Sequence, residues 1–315
     1  MALLLRKRVI LIELESTYGT ETGIAVTGAD AVMVTDLSIT PQSSDVVSRN
    51  LIRPYLGASQ QLLANTKVEC TFSVELAGSG TAGTAPQYRK ALLACGLNED
   101  ATSVTDTVSY TPVSENFESV TIHYMIDGVR HMVRGCRGTF SLNATVGEIP
   151  QINFSFTGIY VAPDDATLVT PTYSNQSDPL IFKNGNTTSF ELLSYAGALQ
   201  SFSFDLGNSL VYRELIGGSK EVLITDRAAT GSVSIEAVKM ATKNYFDSAV
   251  DDDATLGNLQ FTHGTVAGNK AQFTSSKIDI GDVSYGDQDG IAMLEIPYTC
   301  VPDTAANTDF SLVYT

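Results

Sequence analysis

The sequence predicts a mainly β protein of two tandem antiparallel domains, each a sandwich or barrel with one short flanking α-helix. One observation behind this is a block that is used twice. Residues 46–76 and 209–238 both hold an Arg followed closely by Leu-Ile (Arg49, Leu51, Ile52; Arg213, Leu215, Ile216). Each block continues into a Gly-containing loop (Gly57; Gly217 and Gly218) and ends in an alternating strand with a Ser-apolar-Glu core (Ser73, Val74, Glu75; Ser234, Ile235, Glu236). Similarity that keeps its order along the chain implies duplication of a unit of about 150 residues, an ordinary domain size. A second observation is period-2 alternation. Val68, Cys70, Phe72, Val74 and Leu76 alternate with Lys67, Glu69, Thr71, Ser73 and Glu75, which gives a strand one apolar face. The third is Asp127-Gly128 between alternating apolar residues, a strong hairpin signal.

In chain order, residues 1–30 read as an arm. Val9, Ile10, Leu11 and Ile12 have strand character, and Glu15 to Thr20 form a turn-rich exit. An apolar strand without a partner in its own repeat is a sticky edge, so its expected partner is a neighbouring subunit. Domain one spans 31–162. Its expected elements are short strands at 31–34 and 37–40 ended by Pro41, the strand at 67–76, a flexible loop at 77–85 and a helix over 85–96. Pro86 near the helix start and Gly96 past its end give that helix its polarity. Hairpins follow at 119–134 and 139–161. Residues 163–189 are a connector rich in Pro, Asp, Asn and Ser, within which Pro179 to Phe182 is expected to supply the first strand of domain two. Domain two spans 190–315, with a strand at 199–206, the Arg213 block, a helix over 240–250 and hairpins at 259–277 and 278–299.

Composition narrows the function. Apolar residues make up 43% of the 315-residue chain, enough for buried cores. Only 17% is charged, against about 25% in typical proteins, and such a surface favours extensive subunit contacts. Net charge is −16. Residues 1–162 carry 11 basic and 15 acidic side chains, and residues 163–315 carry 8 and 20, so the second half is the more acidic. A chain this acidic should not grip nucleic acid, which requires concentrated Lys and Arg. Cys70, Cys95, Cys136 and Cys300 have no CxxC spacing and read as reduced, buried residues. The N-terminal stretch does not have the order of a signal peptide, and no window approaches the roughly 20 apolar residues of a membrane span.

No catalytic or cofactor arrangement stands out. His123 and His131 flank the Asp127-Gly128 turn and could lie opposite each other, but a metal there needs more ligands than Cys136 supplies. Asp251, Asp252 and Asp253 read as a solvated run. Residues 286–290 resemble part of a calcium loop, but Tyr285 and Ile296 stand where that loop needs its first and last ligands. Arg49 and Arg213, one per copy, have two readings: an inter-subunit ion pair repeated around a ring, or a local pair on a strand-end loop.

Three runs resemble one family. Residues 9–20, beginning Val9-Ile10-Leu11-Ile12 and containing Tyr18-Gly19-Thr20, are similar to the start of the major tail tube protein of long-tailed, siphophage-type bacteriophages. Residues 179–183 with 199–208, and residues 224–236 ending Ser234-Ile235-Glu236, are similar to the same proteins. The resemblance implies domains of tail-tube type and a structural virion protein that is not an enzyme and uses no cofactor. It implies stacked rings around a channel for DNA ejection into the host, assembly in the bacterial host cytoplasm and a final place in the virion tail. Its partners would be itself, a tape-measure protein and terminator or baseplate proteins, with viral DNA passing through unbound and no membrane involved. A duplicated chain departs from the one-domain version and implies that three chains make a pseudo-sixfold ring. The expected inter-subunit contacts are Val9, Ile10, Leu11, Ile12, Tyr18, Arg49 and Arg213. Residues 1–20 and the 77–85 loop are expected to join rings, so that deleting 1–20 leaves the fold and stops tube growth. The rival reading is a secreted β-rich pilus or adhesin-like surface module. Whether a contractile sheath surrounds the tube is left open.

Overall fold

The computed structural model describes residues 3–20, 26–49, 51–102, 106–251, 256–303 and 305–315. The first half contributes β1 (Arg8–Leu14), β2 (Ala31–Val32), β3 (Thr35–Val47), β4 (Leu62–Glu75), α1 (Arg89–Ala94), β5 (Leu97–Thr102), β6 (Thr107–Pro112), β7 (Val120–Ile126), β8 (Val129–Thr145), β9 (Gln151–Tyr160) and β10 (Asp164–Asp165). The second half contributes β11 (Thr187–Leu192), β12 (Leu199–Asp205), β13 (Asn208–Glu214), β14 (Lys220–Arg227), β15 (Thr230–Glu236), α2 (Tyr245–Val250), β16 (Gly257–His263), β17 (Ala271–Ile280), β18 (Ser284–Gln288), β19 (Ile291–Cys300) and β20 (Ser311–Tyr314). Eighteen strands join in one hydrogen-bonded sheet, and β13 and β14 form a separate ribbon.

The two halves have the same strand order. In the first, hydrogen bonding runs β1–β7–β8–β9–β4–β3. In the second it runs β11–β16–β17–β19–β15–β12. A six-residue helix follows β4 in one half and β15 in the other. One side-chain contact also recurs. Ser73 Oγ donates to Asn153 Oδ1 at 2.6 Å across β4 and β9, and Ser234 Oγ donates to Glu295 Oε1 at 2.6 Å across β15 and β19.

The halves are nevertheless joined into one body. β12 hydrogen-bonds to β8, with Phe204 opposite Leu142. β20 lies between β17 of its own half and β6 of the other. A single apolar cluster runs through both, with Phe140 and Phe204 in ring contact at 5.9 Å and Tyr88 and Tyr314 sharing a hydroxyl hydrogen bond of 2.8 Å. A hydroxyl pair at the centre of an apolar core satisfies both groups without water.

Several expectations change. Pro41 does not end a strand: β3 runs through it, with register shifts between Thr40 and Ser43. β3 is an edge strand there, so the missing N–H removes no ladder bond. The helices are shorter than expected, at Arg89–Ala94 and Tyr245–Val250. Residues 179–182 form no strand. Phe182 is buried, and its backbone exchanges bonds with the 147–148 turn, Gly147 N donating to its carbonyl and its own N–H to Glu148 O. The loop over 77–85 is not free, because Gly78 N donates to Asn269 Oδ1 and Gly80 N to Gly268 O in the second half.

The largest correction concerns the arm. β1 pairs along its whole length with β7 and also with β2. Val9 and Leu11 face one apolar cluster while Ile10 and Ile12 face the main core, and all four are buried. A strand buried on both faces reads as a continuous apolar run, the same pattern a sticky arm would show. Deleting residues 1–20 therefore removes core. Burying four such side chains is worth roughly 6–12 kcal/mol, comparable to the stability of a whole domain.

Candidate functional site

The residues expected to bridge subunits are mostly used within the chain. After β1 the backbone turns at Glu15, a buried carboxylate. It accepts from Gly19 N at 2.8 Å, Ser119 Oγ at 2.6 Å, Thr121 Oγ1 at 2.7 Å and Gly135 N at 2.8 Å. Four donors on one carboxylate fix the turn and place Tyr18 over the sheet. The Tyr18 hydroxyl donates to Gly135 O at 3.0 Å and accepts from Val222 N at 2.5 Å, and the Arg137 guanidinium lies 4.8 Å from its ring centre. Burial pushes the phenol up to about 12, against the opposing effects of the Val222 amide and Arg137. Tyr18 thus ties the N-terminal segment to β14 of the same chain.

Arg213 has an ion-pair partner within the chain. It pairs with Glu221 across the β13–β14 ribbon, beside a Lys220–Glu214 pair at 3.1 Å. Opposite charges on paired strands stabilise a hairpin through cross-strand contact. Arg49 lies exposed just beyond the end of β3. His123 stands opposite Met132 and His131 opposite Tyr124, so successive registers put the two imidazoles on opposite faces of the sheet. Among the described residues, no cluster of His, Cys, Asp and Glu is placed to hold a metal. Asp252 and Asp253 of the acidic run lie outside the described residues.

Two hairpin ends carry exposed apolar residues, and among the described residues several strands, β3 and β18 among them, have an unpaired edge. The β3–β4 hairpin carries Leu51, Ile52, Tyr55 and Leu56 at its exposed tip, with Ile52 and Leu56 fully exposed. The β13–β14 ribbon carries Leu215 and fully exposed Ile216 at its own tip. These are the Leu-Ile doublets of the repeated block. Their signal in the sequence was apolar residues set among Gly and Pro, where a turn would normally be polar. Isolated exposed apolar residues are ordinary, but a cluster at a projecting tip marks an interaction surface. The edges of β3 and β18 each lack a partner on one side among the described residues. Unpaired edges are templates for another strand.

No described helix is long and apolar enough to cross a membrane. No curated protein matches the chain. The sequence profile of the phage tail tube proteins matches residues 6–300, across both halves of the chain. The chain therefore belongs to the phage tail tube protein family, a structural, non-enzymatic family whose members polymerise with themselves in the virion tail.

Proposed function

We propose that three copies of this chain form each ring of a tail tube, with six similar units around a channel through which DNA is ejected. The observation that carries this reading is the strand order repeated within one chain, β1–β7–β8–β9–β4–β3 and β11–β16–β17–β19–β15–β12. A duplicated unit supplies two ring positions per chain, and contacts between unlike surfaces close into a ring when their rotation closes. The net charge of −16 supports passage of a polyanion without binding. Tape-measure, terminator and baseplate proteins are the expected neighbours, with assembly in the host cytoplasm. The domain division at 31–162 and 190–315 then corresponds to the two ring positions.

In this reading the hairpin tips, Ile52 with Leu56 and Leu215 with Ile216, join successive rings in place of residues 1–20 and 77–85. The test pairs negative-stain microscopy with mass measurement of purified protein. Hollow tubes, and rings with the mass of three chains, are expected. The double variant Ile52→Ser, Ile216→Ser should keep the melting curve of the dilute chain and yield rings without long tubes. A monomer at every concentration overturns the reading.

A further inference from the structure

One of the joints between the two halves is made by two strands, β8 and β12, that each have a counterpart elsewhere in the chain. Within the joint, β8 gives the edge of Ser141 to Thr145 to β12, with Ser201 opposite Thr145 and Asp205 opposite Ser141. In the second half, β18 takes the place of that part of β8. Ser141 faces Asn153 on β9, and Ser284 faces Glu295 on β19, Asn153 and Glu295 being the acceptors of the recurring serine bonds. Leu142 then corresponds to Tyr285 and Asn143 to Gly286. In the first half, β3 takes the place of β12. Ser203 and Phe204 face Ser232 and Gly231, two and three residues before Ser234, and Ser38 and Ile39 face Thr71 and Cys70, two and three residues before Ser73.

Both counterparts have a bare edge. Among the described residues β3 pairs only with β4, and β18 only with β19. The side chains fit the same picture. Leu142, opposite Phe204 in the joint, is 1% exposed, whereas Tyr285 in the matching register is 62% exposed. The ring of Phe246 lies 5.5 Å from the Tyr285 ring. A large side chain bare at the register of a buried one is what a strand shows when its partner strand is missing.

We propose that β18 of one chain pairs antiparallel with β3 of a second copy, repeating between chains the joint that β8 and β12 make within one. Thr40 lies opposite Ser284, Ser38 opposite Gly286, and Asp36 opposite Gln288. Tyr285 then packs across from Ile39, an aromatic–β-branched pair of the kind that stabilises adjacent strands. Asp287 comes opposite Leu37, whose carbonyl accepts from Arg8 Nη1 at 3.1 Å, so the arriving carboxylate meets a cation already at that edge. The backbone edge supplies affinity and the side chains set the register, as in strand addition generally. Because the two edges differ, the contact is head to tail. Closure at three chains rests on the tube reading above; the edge pairing itself does not.

The test is cross-linking of assembled protein. Thr40 and Ser284 are exposed, and the four native cysteines are buried, so introduced thiols react alone. The double variant Thr40→Cys, Ser284→Cys is assembled, treated with a short thiol cross-linker and run on a denaturing gel beside micrographs of the same sample. A ladder ending at three chains is expected. Mixing the two single variants should give only a dimer of one with the other. Thr40→Cys with Asp287→Cys, on opposite faces, should cross-link about tenfold less, since adjacent strand positions point to opposite faces. Tubes without cross-links overturn the edge pairing and leave the tube reading intact. A three-chain ladder without tubes supports the edge pairing and overturns the tube reading. Cross-linking of Ser284→Cys to itself overturns the head-to-tail contact. As a second variant, Tyr285→Lys should keep the dilute chain's melting curve and stop assembly, and normal assembly of it also overturns the proposal.

Discussion

Replacing Tyr18 with Phe separates the intrachain role of this residue from the inter-subunit role its sequence context predicts. The substitution keeps the ring under Arg137 at 4.8 Å and removes only the hydroxyl. That hydroxyl makes two bonds, to Gly135 O at 3.0 Å and from Val222 N at 2.5 Å, and Val222 is fully buried. The Phe variant forfeits both bonds and leaves the Val222 amide and the Gly135 carbonyl facing an apolar ring edge. A net hydrogen bond is worth roughly 0.5–1.5 kcal/mol and an unsatisfied buried group costs roughly 1–3 kcal/mol, so Tyr18→Phe should destabilise the chain by about 1–3 kcal/mol. For a chain of this size that corresponds to a fall in melting temperature of roughly 2–6 °C. The assay is thermal unfolding of the dilute, unassembled chain followed by circular dichroism, with amide exchange read at Val222. The loss should be present without assembly, and the Val222 amide should exchange faster. A dilute chain with unchanged melting and unchanged Val222 exchange, combined with impaired tube growth, refutes the intrachain assignment and returns Tyr18 to a subunit interface.

Two further outcomes follow from the same packing. Glu15→Ala strands the four donors that converge on the carboxylate and should destabilise the dilute chain by about 3 kcal/mol or more in urea unfolding. Glu15→Gln keeps one carbonyl oxygen and should lose less, and equal stability of the Ala variant and the wild type would show that the turn does not depend on this network. His263 is buried, donates from Nε2 to Leu180 O at 3.1 Å and accepts at Nδ1 from Thr187 Oγ1 at 2.9 Å. Burial lowers its proton affinity, with the Leu180 carbonyl acting the other way. The unfolded chain therefore takes up a proton near pH 6.5 that the folded chain refuses, so this contribution is whole above about pH 6.5 and is lost as pH falls through it. The difference in urea midpoint between wild type and His263→Gln should shrink from pH 7.5 to pH 5.5, and a difference constant with pH refutes the assignment.

Local pattern determined much of this protein. The alternation of Val68 to Leu76 became β4, Asp127-Gly128 became the β7–β8 turn, and the Ser-apolar-Glu cores of the repeated block fell on β4 and β15 at the same register. Hairpins and alternating strands are written in neighbouring residues, so a single sequence states them. Other features depended on distant partners. Whether Val9 to Ile12 served a neighbour or its own chain turned on β7, more than a hundred residues later, which covers the strand edge while core lies against both faces. Tyr18 needed Val222, and the 77–85 loop needed Gly268 and Asn269, contacts no spacing could announce. The sequence by itself determined a mainly β chain of hairpins and alternating strands. Only the tertiary structure decided which edges the chain covers itself and which it leaves bare, because strand pairing is a long-range hydrogen-bond match that an apolar run does not specify.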